Sequence, residues 1–285
     1  MPRWKKGTLS AKSPCPASEG EALDIESAKA ASTLLVRHWR DGTALETLPP
    51  SLRPATREEG YLIQGQIEAL SNRPLFGWKI AATSTAGQKH IGIDGPIAGR
   101  LLAEMVHRDG DEIPFGANRM RVAEAEFAFR MGRDLPPRVD RYELTEILDA
   151  VSGLYLAIEI PDSRYADFVV VGGPQLIADN ACAHRFVLGP HAPAIWRQLD
   201  LASHRVVGRV GARLERDGVG SNVLGDPRTA LTWLANELSA MGIKLAAGQT
   251  VTTGTCLIPL EVNPGDLVSA DFGTLGRVAC RFTDI

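Results

Sequence analysis

"VAEAEFAFRMG" occupies Val122–Gly132, near the middle of the chain. Side chains alternate along a strand, so Val122, Glu124, Glu126 and Ala128 share one face, while Ala123, Ala125, Phe127 and Phe129 share the other. Both faces contain apolar residues, which predicts a buried strand with two carboxylates set into it. Two strand rises separate these glutamates by roughly 7 Å, pointing into the same space. An unpaired buried carboxylate is costly and a like-charged neighbour adds to the cost. One of the pair must therefore take up a proton, or a cation must be recruited. The same Glu-x-Glu spacing also occurs on the solvated face of an edge strand, and spacing alone leaves that alternative open.

A second anomaly of the same kind lies in "LYLAIEIPDSR", where Glu159 stands between Ile158 and Ile160. Three convergent carboxylates, completed by water or substrate oxygens, suit a hard divalent ion such as Mg2+ or Mn2+. Neither segment offers a thiolate or an imidazole, which counts against zinc. Lys79 in "FGWKIAAT" is likewise isolated in an apolar strand. It reads either as an edge lysine snorkelling to water or as a charge held for an anionic substrate.

Composition narrows the function classes. A chain of 285 residues, 44% hydrophobic and 23% charged, can bury a substantial core and has the balance of a globular protein. With 31 basic against 34 acidic residues, the net charge of -3 supplies no broad field for nucleic acid or an anionic membrane. Cys15, Cys182, Cys256 and Cys280 form no C-x-x-C pair, so free thiols in a reducing cytosol are expected rather than a zinc ribbon or disulfide framework. No apolar run reaches the ~20 residues of a membrane span. The opening "MPRWKKGTLSAKSPCPASEG" has basic residues but no apolar segment behind them, and residues 1–20 read as a loose, disordered tail. "GVGSNVLG" does not match the dinucleotide-binding spacing G-x-G-x-x-G.

Along the chain, "EALDIESAKAASTLLVRHWRDG" predicts a helix carrying Leu34, Leu35 and Trp39, with Gly42 as its C-cap. Thr56 and Glu59 have capping-box spacing, so a second helix is expected to run to about Ser71. Residues 21–73 thus form a helical N-terminal region. From residue 74 to 285 the texture becomes β-rich, with strands expected in "FGWKIAAT", "RVAEAEFAFRM", "GLYLAIEI", "ADFVVVGG", "HRFVLG" and "LASHRVVGRVGARLERDG". Two helices interrupt them. "YELTEILDAVSG" places Leu144, Ile147, Leu148 and Val151 on one face, and "DPRTALTWLANELSAMG" has Asp226 as N-cap, Pro227 at the first helical position and Gly242 beyond its end. Strands bunched around few helices predict an α+β fold with a mixed or antiparallel sheet.

Taken together, "GWKIAATS", "RVAEAEFAF" followed by "GRDLP", "AIEIPDSR", "ADNACAHRFVLG", "VLGDPRTALTWLANELSAMG" and "VNPGDLVSADFGTLGRVACRF" resemble, in order, a known family. It is the 2-keto-4-pentenoate hydratase and 4-oxalocrotonate decarboxylase branch of the fumarylacetoacetate hydrolase superfamily. The resemblance runs from about Ile25 to the C-terminus. It implies a mixed β-roll core with a helical N-terminal part, and a divalent metal, Mg2+ or Mn2+, held by Glu124, Glu126 and Glu159. Lys79 matches the family's active-site lysine, and Lys79 and Glu126 are the residues expected to take part in catalysis. Thr253, Gly254 and Thr255 stand where hydratases carry Ser-Gly-Ser and are expected, with Lys79, to bind substrate. The following "CLIPLEV" is closer to the decarboxylase pattern, and Ala81-Ala82-Thr83 replaces the frequent Gly-Leu-Thr. The implied activity is addition of water to a 2-hydroxy-2,4-dienoate through an enolate, in catabolism of aromatic-derived acids. Decarboxylation, acylpyruvate C–C hydrolysis and a non-catalytic binding homologue are the alternatives. A cytoplasmic homodimer or larger homo-oligomer is expected, with a small 2-oxo or 2-hydroxydienoic acid as partner and neither nucleic acid nor membrane.

Overall fold

The glutamate-bearing stretch is a ten-residue strand deep in a mixed sheet. The computed structural model describes residues 22–283; the expected tail over 1–20, and Cys15 within it, lie outside the described residues. The strands run β1 (Gly77–Ala81), β2 (Ile97–Leu101), β3 (Val106–Arg108), β4 (Glu112–Ile113), β5 (Val122–Met131), β6 (Val151–Ile160), β7 (Arg185–His191), β8 (Arg205–Val210), β9 (Leu214–Val219), β10 (Thr250–Thr255), β11 (Leu260–Glu261), β12 (Leu267–Asp271) and β13 (Arg277–Phe282). Eight of them form one sheet, ordered β2-β1-β10-β5-β6-β7-β3, with β11 pairing β5. The other five form a second sheet, β4-β13-β12-β8-β9. Parallel pairing of β1 with β10, β3 with β7 and β4 with β13 makes both sheets mixed. The helices are α1 (Ile25–Asp41), α2 (Arg57–Gly65), α3 (Thr85–His90), α4 (Leu144–Ala150), α5 (Gly173–Ala178) and α6 (Pro227–Ala240). The architecture is α+β, with few helices around curled, mixed sheets.

Strand alternation sorts β5 as its sequence predicts. Ala123, Ala125, Phe127 and Phe129 face the main core, together with Leu154, Leu156 and Ile158 of β6 and Val206, Val268 and Val278 of the second sheet. Phe127 meets Phe272 edge-on at 5.1 Å. Each of the buried Phe, Leu, Ile and Val side chains contributes ~1.5–3 kcal/mol of transfer free energy. Helix α6 closes the same core through Leu231, Leu234, Ala235 and Leu238, all fully or almost fully buried. Its start is set by the Asp226 carboxylate, which accepts from the Arg228 N–H, with Pro227 at the first position.

The N-terminal helices pack against α5 and the β2 edge of the large sheet. Asp24 caps α1, and Gly42 ends it in the left-handed conformation at φ 63°. Thr56 caps α2, whose last turn tightens into a 3-10 segment at Gln66–Leu70. Gln64 ties α2 to the sheet by donating to Ala98 O and Ile177 O, both at 2.8 Å, while accepting from Arg100 Nη1 at 2.6 Å.

Two expectations need correction. "ADFVVVGG" is no strand: 166–172 is a run of bends and turns leading into α5. Asp167 Oδ1 accepts the Val169 N–H at 3.1 Å and folds the segment locally, leaving Val170 74% exposed. Val151 opens β6 instead of closing the helical face of α4, and Leu144 is exposed.

Candidate active site

Strand register brings the suspected residues together. Glu124 lies directly across from Glu159 in the β5–β6 ladder, and Glu126 is opposite Ala157. One carboxylate oxygen from each of Glu124, Glu126 and Glu159 falls within 4.8 Å of the others. Glu126 and Glu159 are fully buried and Glu124 is half-buried, which removes the solvated edge-strand alternative. Lys79 on β1, itself 2% exposed, places Nζ 3.1 Å from Glu159 Oε2. Its aligned hydrogen bond goes instead to Ala181 O at 3.0 Å. Gly99 on β2 makes room for the lysine stem, since a Cβ there would lie 3.0 Å from Lys79 Cγ and 2.4 Å from Asn180 O.

The charges do not cancel. Burial, then Glu124, push the Glu126 carboxyl up to about 7, with Thr252, Lys79 and the Gly254 N–H pulling the other way. Glu159 is raised well above the usual range by burial, against the opposing pull of Lys79. For Lys79, burial is the largest single influence and acts downward, but Glu159, Glu124 and Glu126 together leave it raised. The lysine is therefore a fixed ammonium in this state. A basicity lowered by burial, which would favour a proton-relay role, is not what the surroundings produce.

A divalent cation fits this donor set. Glu126 Oε1 and both Glu159 oxygens are buried without a hydrogen-bond partner, the condition in which a carboxylate either protonates or coordinates. Hard oxygen donors without thiolate or imidazole suit Mg2+ or Mn2+.

Residues 253–255 divide into different tasks. A bulge between Thr252 and Thr255 turns the Gly254 N–H onto Glu126 Oε2 at 2.8 Å, at φ +106°. The Thr252 hydroxyl donates to the same oxygen. Together they fix one side of Glu126 and leave Oε1 free. Thr253, expected to contact substrate, is fully buried and its hydroxyl donates to Phe127 O at 3.0 Å. Thr252 pairs with Lys79 in the parallel ladder and shares its face. Thr255 sits opposite Glu126, with its hydroxyl on Leu257 O at 2.7 Å. A Cβ at residue 254 would lie 2.3 Å from Thr83 Oγ1. Gly254→Ala is expected to cost about 1–3 kcal/mol in unfolding free energy and to reduce activity by more than that stability loss explains. Denaturant titration beside kinetics at low temperature checks both; full activity in the folded variant would separate Gly254 from Glu126.

The segment that meets Lys79 was not legible as special. Asn180, Ala181 and Cys182 are all left-handed, at φ 55°, 50° and 60°, a conformation costly for residues with side chains. Asn180 bridges the Arg100 backbone on β2, accepting at 2.6 Å and donating at 2.8 Å. Asp179 is buried against Arg164 and accepts from Ser163 Oγ at 2.7 Å. These bonds hold Ala181 O in front of the lysine, which gives "DSR" and "ADN" a joint structural purpose. Ala81, Ala181, Cys182 and Met120 belong to an apolar cluster beside the lysine. Burial raises the Cys182 thiol to about 12, which disfavours a nucleophilic role. His90 ends α3, is exposed, and packs against Phe168 with ring centroids 6.2 Å apart.

Residues 98–283 match the family model described as Fumarylacetoacetate (FAA) hydrolase C-terminal. The chain belongs to the fumarylacetoacetate hydrolase family. Relatives include 2-keto-4-pentenoate hydratase of Burkholderia vietnamiensis, 33% identical over 78% of this chain and 83% of the relative. Another is 2-keto-4-pentenoate hydratase 1 of Dechloromonas aromatica, 32% identical over 90% and 97%. Among solved structures, 4-oxalocrotonate decarboxylase from Pseudomonas putida G7, complexed with magnesium and adipate, superposes with a TM-score of 0.83. It is 26% identical, covering 92% of this chain and all of that one. The family resemblance of the sequence blocks is thereby borne out, as is the α+β fold built around them.

The metal-free protein of this fumarylacetoacetate hydrolase family member carries a signed pH prediction. The folded-state value near 7 for Glu126 exceeds the ~4.3 of an unfolded glutamate, so between these values the folded state binds more protons. Stability falls as pH rises through that window. In chelator, the melting temperature of wild type relative to Glu126→Gln is expected to drop between pH 5 and pH 8. A pH-independent difference would contradict the placement of that carboxyl.

Proposed function

We propose that this chain is a divalent-metal-dependent hydro-lyase adding water to a 2-hydroxy-2,4-dienoate of the 2-keto-4-pentenoate type. The observation that carries this reading is the buried cluster of Glu124, Glu126 and Glu159, with three oxygens lacking hydrogen-bond partners beside the Lys79 ammonium. The family relatives named as hydratases support it.

Glu124, Glu126 and Glu159 would hold the ion, Mg2+ or Mn2+, which supplies positive charge against an enolate developing on the substrate's C2 oxygen. The chain's own contributions follow from its geometry. Lys79 is a permanent cation, held between Glu159 and Ala181 O, and draws the substrate's carboxylate to the same spot. Thr252 and the Gly254 N–H keep Glu126 from rotating, so that its free oxygen stays aimed into the cluster. The apolar wall of Ala81, Met120 and Ala181 excludes bulk water, strengthening these charges. Thr255 and Gly254 line the strand end where substrate would enter. We further propose a cytoplasmic enzyme of aromatic-acid breakdown, acting as a homodimer or larger assembly on a small dienoic acid. Among the described residues no helix is long and apolar enough to cross a membrane.

A second reading, decarboxylation of an oxalocrotonate-type acid, is favoured by the close superposition on 4-oxalocrotonate decarboxylase. One experiment separates these readings and the C–C hydrolase alternative. 2-Hydroxypenta-2,4-dienoate, 4-oxalocrotonate and acylpyruvates are offered with Mg2+ or Mn2+, and products are identified. Hydration of the first is expected; carbon dioxide release from the second as the preferred reaction would replace the hydratase assignment, and no turnover of any would leave a binding protein.

A further inference from the structure

Arg185 opens β7, opposite Ile160 at the end of β6, two residues before Asp162. Its Nε is buried without a hydrogen-bond partner, and among the described residues it forms no ion pair. Other interior arginines differ. Arg164 is paired with Asp179, and Arg100 with Glu68 and Gln64. Burial lowers the Arg185 guanidinium, and no carboxylate offsets that effect.

Its titratable neighbours add donors rather than negative charge. His184 is brought down to about 3, first by burial and then by Arg185, so its imidazole is neutral. The Trp39 indole donates to His184 Nδ1 at 2.7 Å, which leaves the proton, and a free N–H, on Nε2. His107, also lowered by burial and then by Arg185, has a buried Nε2 without a partner.

Arg185 and His184 line a cavity of about 320 Å³, to which none of the three glutamates nor Lys79 contributes. That is roughly ten times the ~30 Å³ share of one water, room for a small anion and its remaining hydration. The two acids on its wall do not meet the arginine: Asp162 accepts the Arg119 and Met120 N–H groups at 2.8 and 3.1 Å, and Asp41 is exposed at the end of α1. An unpaired guanidinium and the neutral His184 imidazole, both offering donors on the cavity wall, are matched by an oxyanion, which accepts in the fork geometry arginine provides.

We propose that this cavity is a second ligand site, for a small oxyanion carrying a carboxylate or phosphate group, held by the Arg185 guanidinium with His184 Nε2–H as neighbouring donor. It is independent of the proposed hydration reaction.

Thermal denaturation in titrations of inorganic phosphate and of succinate, against chloride at equal ionic strength, tests it. Wild type is expected to gain several degrees, saturably, with phosphate, succinate or both; which one does so identifies the anion class. Glu126→Gln is expected to keep the shift, placing it outside the carboxylate cluster, and Arg185→Gln to lose it. Arg185→Lys, which keeps the charge but not the fork, is expected to bind at least tenfold more weakly. In anion-free buffer Arg185→Gln should melt no lower than wild type, because it removes an unpaired charge. The proposal is overturned by an equal response to chloride, by an undiminished shift in Arg185→Gln, or by loss of the shift in Glu126→Gln. It is also overturned if neither anion binds and Arg185→Gln only reduces oligomer size in sedimentation, which would make the occupant a carboxylate of another copy.

Discussion

Glu126→Gln is expected to lower kcat/KM by on the order of 10³-fold while leaving the metal-free fold intact. The glutamine is isosteric, and its Oε1 can still accept the Thr252 hydroxyl and the Gly254 N–H that now converge on Oε2. What it loses is the negative oxygen aimed into the cluster. Lewis-acid stabilisation of a developing enolate is worth several kcal/mol, and about 4 kcal/mol corresponds to that rate factor. Two readouts are needed. Calorimetric titration with Mn2+ should give binding weakened by at least tenfold, and melting in chelator at pH 8 should be no lower than for wild type, since a buried carboxyl raised to about 7 has been removed. Normal metal affinity in the folded variant would take Glu126 out of the ligand set.

Lys79→Met is the second large effect. The ammonium sits 3.1 Å from Glu159 Oε2 and is the one cation among the causes acting on both displaced carboxyls, Glu126 and Glu159. Methionine keeps the unbranched stem that passes over Gly99 but leaves the carboxylates uncompensated. Breaking a buried pair by removing one partner typically costs ~3–5 kcal/mol. In chelator the variant should therefore melt well below wild type, and Mg2+ should recover much of the difference, because a bound cation replaces part of the lost charge. Activity is expected to stay down by about 10²–10³-fold even in saturating Mg2+, the factor that about 3–4 kcal/mol of lost charge pairing with the substrate's carboxylate gives. Stability that Mg2+ does not recover would mean that the lysine, and not a metal, is the counter-charge the site is built around.

The sequence discloses the site through incongruity. A glutamate between Ile158 and Ile160, two glutamates in a strand whose other face is Ala and Phe, and a lysine beside Trp78 and Ile80 each contradict the burial their neighbours imply. Alternation then predicts which faces they share, and the β5–β6 register agrees. Helix ends were equally legible, because Thr56, Asp226 and Gly42 act through local geometry alone. What failed depends on partners distant in the chain. The valines of 169–171 have strand propensity but no strand to pair with, so the Asp167 turn prevails. That Thr252 and the Gly254 N–H both reach Glu126 turns on a bulge that "TVTTGT" does not announce. Nothing in "DNAC" signals three left-handed residues, since their conformation is imposed by Arg164, Arg100 and the approach of Lys79.

The proposed role of the three strand-borne glutamates is to grip a divalent ion used in hydrating a dienoic acid. Its most direct test is to supply 2-hydroxypenta-2,4-dienoate to chelator-treated protein, with and without added Mg2+ or Mn2+, and to quantify 4-hydroxy-2-oxopentanoate. Formation only after metal addition is the expected result. Full-rate formation by the metal-depleted protein would contradict it.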